Sequence, residues 1–151
     1  LEPCQELALN VPMIQEMKSD QVGVAPTRGT TAADTFYAAL YLASASLGAG
    51  TTTYSSTGEV SGTGYTPGGI AVTNAVAPTS SGTTAYWTPS ASLVYTGVTL
   101  TTPFDTVLIY NQTQGNKSVS VHTFGSQTIT AGTFTLTMPA NTNTTALIRL
   151  A

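Results

Sequence analysis

The sequence predicts an all-β fold, an antiparallel β-sandwich or jelly-roll-like body with an N-terminal extended arm. An unbroken apolar run at residues 107–110, VLIY, is typical of a strand covered on both faces. Short segments with period-two alternation follow one another along the chain, and Gly, Pro and Asn residues between them favour turns. The length of 151 residues is enough for one domain with a core of its own.

The first 34 residues differ in charge from the rest of the chain. The whole sequence holds 4 basic and 7 acidic residues, and most of them precede residue 35. Beyond that point the charged residues are Glu59, Asp105, Lys117 and Arg149. This shift predicts a boundary between an arm, residues 1–34, and a β-sandwich body, residues 35–151.

The arm carries apolar residues but is too short to form a core. Part of it alternates as a short strand would, and Pro12 can open a helical turn after it. Such a segment must dock, either against its own domain or on a neighbouring subunit, and the sequence leaves both open. We expect partner-binding anchors at Leu7, Leu9, Val11, Ile14 and Met17.

The first segment of the body, residues 36–48, fits two patterns. Phe36, Leu40 and Leu47 recur at helical spacing, with Asp34 as a possible N-cap, but the same segment also alternates as a strand would. Because every later segment is β, we predict a strand here. Residues 49–69 then form a long Gly-, Ser- and Thr-rich loop, anchored by Tyr54 and Tyr65.

The central hairpin lies within residues 104–126. Gly115 and Asn116 predict its turn. After the turn, alternation places Val119, Val121 and Thr123 on one face, with Ser118, Ser120 and His122 on the other. Around this hairpin we expect a turn at 78–82 and short strands at 70–76, 84–88, 93–100, 127–130, 133–138 and 146–150.

Composition argues against several classes of function. Four basic residues in a chain of net charge −3 cannot neutralise a row of phosphates, so we expect neither nucleic acid nor an anionic membrane as a partner. One cysteine, Cys4, allows no internal disulfide. The first 20 residues lack the pattern of a signal peptide, and no apolar run reaches the length of a bilayer span.

The residues that could carry chemistry are few. Two-carboxylate glycoside hydrolysis would need Glu59 and Asp105, and a serine triad would need His122 with Asp105. No G-x-S-x-G motif marks a nucleophile, and one His with one Cys cannot form a zinc cluster. We therefore expect no catalytic, metal or cofactor site, with Glu59 binding loop amides and Asp105 starting a strand. The aromatic residues could line a sugar-binding face or form core: Tyr37, Tyr41, Tyr54, Tyr65, Tyr86, Trp87 and Tyr95.

Several motifs in order resemble small β-rich structural proteins of tailed bacteriophages. They are ASLGAGT from residue 45, GEV from 58, GTGY from 62, LIYN from 108 and FGS from 124, within a match that covers about residues 36–139. The resemblance implies a virion structural protein, most of all a capsid decoration (cement) protein on the capsid surface. It implies the major capsid protein and copies of the chain itself as partners, with a trimer expected, and it transfers no catalytic residue.

Two other functions stay open at this stage. One is a tail or head–tail accessory or fibre protein with the same fold. The other is a carbohydrate-binding module that recognises a receptor through its aromatic residues. An enzyme such as a glycan hydrolase would have to use Glu59 or Asp105.

Overall fold

A computed structural model describes residues 34–73 and 77–151. These residues form seven strands: β1 (Phe36–Leu42), β2 (Ile70–Ala71), β3 (Thr79–Ser81), β4 (Thr84–Trp87), β5 (Leu93–Asn111), β6 (Lys117–Leu136) and β7 (Ile148–Leu150). The predicted all-β class is confirmed. The described ranges contain no helix, and so none that is long and apolar enough to cross a membrane. The arm prediction, with its anchors at 7, 9, 11, 14 and 17, lies outside the described residues.

The strands form two antiparallel sheets that share one apolar core. The larger sheet has the order β2-β1-β5-β6, and the smaller sheet has the order β3-β4-β7. Phe36 of the larger sheet packs on Trp87 of the smaller, with ring centroids 5.9 Å apart. Ile148 of β7 joins the same cluster of buried side chains. Two antiparallel sheets that share one core are consistent with the predicted β-sandwich.

Strand β1 confirms the choice of strand over helix for the start of the body. It pairs with β5 along its whole length, from Phe36 opposite Asn111 to Leu42 opposite Phe104. Its two adjacent alanines, Ala38 and Ala39, are fully buried on opposite faces. Small side chains on both faces let a second layer approach the strand from either side, and tertiary packing therefore outweighs the helical propensity of this segment.

Strands β5 and β6 form one hairpin, about twice as long as the sequence predicts. The segments predicted separately at 93–100 and 107–110 join into 19 residues, and those at 119–123, 127–130 and 133–138 largely join into 20. Pro103 lies between the first pair of segments, where the register shifts between Leu100 and Phe104. Such an irregularity lets a strand accommodate a proline. We call residues 104–111 with 117–123 the inner half, and residues 93–103 with 124–136 the outer half.

The turn of the hairpin is confirmed, but the predicted faces after it are wrong. Gly115 and Asn116 have φ of 73° and 59° and are the last two residues of the turn at 112–116. A bulge follows, because Ile109 pairs with Ser120 whereas Tyr110 pairs with Ser118. Val119 is the extra residue, and it packs in the main core while Val121 packs on the opposite face. One inserted residue thus reverses a period-two pattern.

The smaller sheet also departs from expectation at one point. Residues 79–81, predicted as part of a turn, are strand β3, which pairs with β4, and the turn itself lies around Gly82. Of the strand predicted at 70–76, residues 70–73 are described, and the strand among them is the two-residue β2, which pairs with Tyr37 and Ala38 of β1. Residues 72 and 73 lie outside it, so the prediction was wrong there. The last strand is confirmed in the shorter form of β7, which pairs with β4.

Candidate functional site

The loop after β1 covers the face of the larger sheet that is turned away from the smaller one. Its return path runs beside β1, where the Leu42 amide donates to the Gly58 carbonyl at 2.9 Å and the Val60 amide donates to the Leu40 carbonyl at 3.0 Å. Between these bonds Glu59 forms a bridge with Tyr41. Pairing with β1 therefore fixes the backbone of Glu59 at the edge of the sheet.

The Glu59 carboxylate is the centre of a tyrosine cluster. One oxygen, Oε1, accepts from the Tyr65 hydroxyl at 2.7 Å and from the Gly68 amide at 2.7 Å. The other, Oε2, accepts from the Tyr54 hydroxyl at 2.6 Å. These are short bonds to a charged acceptor, which belong to the stronger class of protein hydrogen bonds. The expectation that Glu59 binds loop amides is confirmed by the Gly68 contact, and the two tyrosines are additional.

Further tyrosines tie the same loop to the sheet. The Tyr41 hydroxyl donates to the Ser55 carbonyl at 2.5 Å, and the Tyr110 hydroxyl donates to the Gly68 carbonyl at 2.8 Å. Tyr54 stacks on Tyr110 with ring centroids 4.8 Å apart. Rings from the loop and the sheet therefore interleave, and their hydroxyls bind the loop backbone.

Burial keeps these phenols protonated. It raises the pKa of Tyr41 to about 12. It also raises the pKa of Tyr54 and Tyr65, and the hydrogen bond that each gives to Glu59 raises it further. Each hydroxyl is therefore a stable donor at neutral pH. The cluster therefore holds its loop in place through hydrogen bonds.

The structure keeps Glu59 and Asp105 on opposite sides of β1. Tyr41 pairs with Glu59 on one side and with Thr106 of β5 on the other. Asp105 accepts a hydrogen bond from the neighbouring Thr106 hydroxyl at 2.7 Å. The two carboxylates thus have separate hydrogen-bond partners, and the backbone of β1 lies between their strand positions.

His122 is half-buried on β6 and contacts Ser120, with Nε2 2.9 Å from the serine Oγ. Burial lowers the pKa of His122, so its ring is neutral near pH 7. Within residues 34–73 and 77–151, no three His, Cys, Asp or Glu side chains come together as metal ligands would.

Most of the aromatic residues considered for sugar binding belong to the core. Tyr41, Tyr65, Trp87 and Tyr95 are buried. Tyr95 also donates its hydroxyl to the Ala38 carbonyl at 2.8 Å. Tyr37, Tyr54 and Tyr86 are partly exposed, but Tyr86 lies on the smaller sheet, away from the other two. The aromatic residues therefore do not form one common face.

A polar cluster at the closed end of the hairpin was not predicted from the sequence. Asp34, 7% exposed, accepts from the Asn111 side-chain amide at 2.8 Å and from the Gln114 side-chain amide at 3.3 Å. Asn111 in turn accepts from the Gln114 backbone amide at 3.1 Å. Asp34 therefore belongs to the body and fixes where the chain enters it. A weak signal existed, since a polar Asn directly follows the buried VLIY run.

The outer half of the hairpin presents a face of uncharged side chains to solvent. Its inward residues alternate with exposed threonines, and no position of this half is charged. Val94 is 42% exposed and lies opposite Thr135 in the register. The exposed threonines of this half, which we call the threonine face, are Thr96, Thr101, Thr102, Thr128, Thr130, Thr133 and Thr135.

Comparison with protein-family models, with curated proteins and with solved structures finds no match to this chain.

Proposed function

We propose that this chain is a non-enzymatic bacteriophage virion protein, a capsid decoration or cement protein that binds the shell of major capsid protein and stabilises it. The observation that carries the proposal is the threonine face. Monomeric proteins usually protect exposed strands with charged side chains, which discourage pairing with other sheets. The outer half has none, and a surface of this kind suits a protein that is covered by neighbours in an assembly.

The hydrogen bonds that fasten the loop to the sheet support the same function. Glu59 and its tyrosines hold a long loop on the sheet through three hydrogen bonds. A protein that reinforces a shell needs a body that keeps its shape when contacts form around it, because flexible parts lose entropy on binding. The partners in this proposal are the major capsid protein and further copies of the chain, with a trimer as the expected oligomer.

The N-terminal arm supplies the attachment in this proposal. Leu7, Leu9, Val11, Ile14 and Met17 are the apolar anchors that contact neighbouring subunits. Each fully buried side chain of this size contributes about 1.5–3 kcal/mol before the cost of ordering the segment. Weak contacts of many copies on one shell then add up through multivalency.

The test is the occupancy of the protein on purified phage particles, measured as copy number by quantitative mass spectrometry. Deleting residues 1–20 should reduce occupancy at least tenfold while the circular dichroism of the body stays unchanged. The variant Leu7→Ser with Leu9→Ser and Val11→Ser should act in the same direction. Gln5→Ser with Asn10→Ser is the matched control and should keep full occupancy. Undiminished occupancy after the deletion contradicts the role of the arm, and absence of the full-length protein from particles contradicts the function.

A further inference from the structure

A cleft of about 340 Å³ opens beside β1 on the loop-covered side of the body. Tyr41, Ala45 and Leu47 contribute its apolar surface, and all three belong to the apolar cluster on this face of the sheet. Hydroxyl side chains, including Thr51 and Thr53, complete its lining. Among the described residues, none that lines the cleft carries a charge. Its volume is near the lower end for ligand sites, which suits a few aliphatic side chains.

The cleft lies close to the point where the N-terminal segment joins the body. Asp34 is held at the closed end of the β5–β6 hairpin by Asn111 and Gln114. The cleft wall is held at the same end, since the Ser118 hydroxyl donates to the Thr51 carbonyl at 2.5 Å and Thr53 forms a bridge with Lys117. The start of the body and the wall of the cleft therefore flank one turn.

We propose that this cleft binds the N-terminal segment of the same chain, with side chains from Leu7, Leu9 and Val11 as the groups that enter it. Val11 precedes Asp34 by 23 positions (34 − 11), and each extended residue spans about 3.3–3.6 Å. The extended segment is therefore longer than the distance from Asp34 to the cleft wall, because both lie at the same hairpin turn. A tether of this kind gives an effective concentration on the order of millimolar, so docking within one chain outcompetes docking between chains at lower protein concentrations.

The chemistry of segment and cleft is complementary. Leu7, Leu9 and Val11 alternate, so in an extended segment their side chains project to one side. That side meets the apolar lining of the cleft. Hydroxyls such as those of Thr51 and Thr53 can both donate and accept, so they can bind the backbone amides and carbonyls of an extended segment. Occupancy of the cleft concerns the chain before assembly and is therefore independent of the proposed function. Attachment to a neighbour would require the segment to leave the cleft.

Disulfide trapping in the full-length protein tests the proposal. Cys4→Ser removes the native thiol, and Gln5→Cys places a thiol two residues before Leu7, on the same side of an extended segment as the three anchors. Thr53→Cys adds the second thiol at the cleft. The matched control places it instead by Ser81→Cys, an exposed position in the smaller sheet. The readouts are the rate of disulfide formation under mild oxidation, and intact mass with non-reducing electrophoresis to separate monomers from dimers.

We expect an intrachain disulfide that forms at least tenfold faster with Thr53→Cys than with Ser81→Cys, at a rate independent of protein concentration. Adding Leu9→Asp should reduce the rate towards that of the control, while the circular dichroism of the body stays unchanged. Equal rates for the two cysteine positions would overturn the proposal. Disulfide-linked dimers as the main product would also overturn it, because they would show that the cleft takes the segment of a second copy. Neither result depends on whether the protein occurs on phage particles.

Discussion

The inner and outer halves of the β5–β6 hairpin belong to the same two strands, but they are buried in different ways. In the inner half Val107, Leu108, Ile109 and Tyr110 are all buried, because the smaller sheet lies towards one face and the tyrosine-rich loop covers the other. In the outer half buried positions such as Leu93, Tyr95, Val98 and Leu100 are separated by exposed ones, and most positions of its β6 part are exposed. The difference teaches that one long hairpin combines two tasks. Its inner half organises the fold, and its outer half offers a surface.

The largest expected effect comes from truncating the inner half. Leu108 is fully buried, so Leu108→Ala should lower the free energy of unfolding by about 2–5 kcal/mol through lost burial and the cavity that remains. Val94→Ala is the matched change in the outer half. Because Val94 is 42% exposed, it should alter that free energy by no more than about 0.5 kcal/mol. Chemical denaturation of both variants measures the difference. Similar losses in the two variants would show that both halves contribute equally to the free energy of unfolding.

A smaller effect is expected from loosening the loop that covers the inner half. Glu59→Gln keeps the shape of the side chain but removes the charge that three hydrogen bonds share. It should lower the free energy of unfolding by about 1–2 kcal/mol, and it should increase hydrogen exchange in the loop at 43–69. Asp105→Asn is the control, since this carboxylate accepts a hydrogen bond from the adjacent Thr106. If both variants have the same free energy of unfolding and the same hydrogen exchange in the loop, Glu59 does not hold the loop on the sheet.

The contribution of the buried tyrosines to the stability of this loop should decrease at alkaline pH. Burial raises the pKa of Tyr41 from 10.0 to about 12 in the folded protein, so the folded state holds this proton more tightly than the unfolded state. The stabilisation is complete below pH 10 and is lost as pH rises towards 12. The free energy of unfolding should therefore fall with pH across this window, and less steeply in Tyr41→Phe. If the free energy of unfolding falls equally steeply with pH in the variant and in the unchanged protein, Tyr41 does not cause the pH dependence.

The sequence predicted the strands and the turn of the inner half better than the faces on which its residues lie, for a physical reason. The VLIY run and the turn at Gly115 and Asn116 are local signals, and both led to the right elements. Bulges are not local signals, because the partner strand decides where an extra residue fits. The bulge at Val119 reversed the predicted faces. The register shifts near Pro103 let two segments that the sequence predicts separately continue as one strand.

The tyrosine contacts of Glu59 and the polar contacts of Asp34 could not be predicted from the sequence either, although their partners lie at very different separations along the chain. Glu59 meets Tyr54 and Tyr65, only 5 and 6 positions away, yet the loop between them has no periodicity from which its path could be read. Asp34 meets Asn111, which is 77 positions away. That contact follows from the register of β1 against β5, which sequence patterns alone do not define.

The smallest effect on folding should come from the threonine face, and there the sharpest functional difference is expected. Thr133→Lys with Thr135→Lys adds two charges to exposed positions, so each should change the free energy of unfolding by no more than about 0.5 kcal/mol. If this face is covered by neighbours, the same charges should reduce self-association and particle occupancy at least tenfold, because buried unpaired charges are costly. Ser81→Lys with Thr83→Lys adds the same charge to exposed positions around the β3–β4 turn and should leave both unchanged. Equal occupancy for the two pairs of variants would mean that the threonine face is exposed to solvent in the assembly. The difference between the two halves of the hairpin would then affect folding alone.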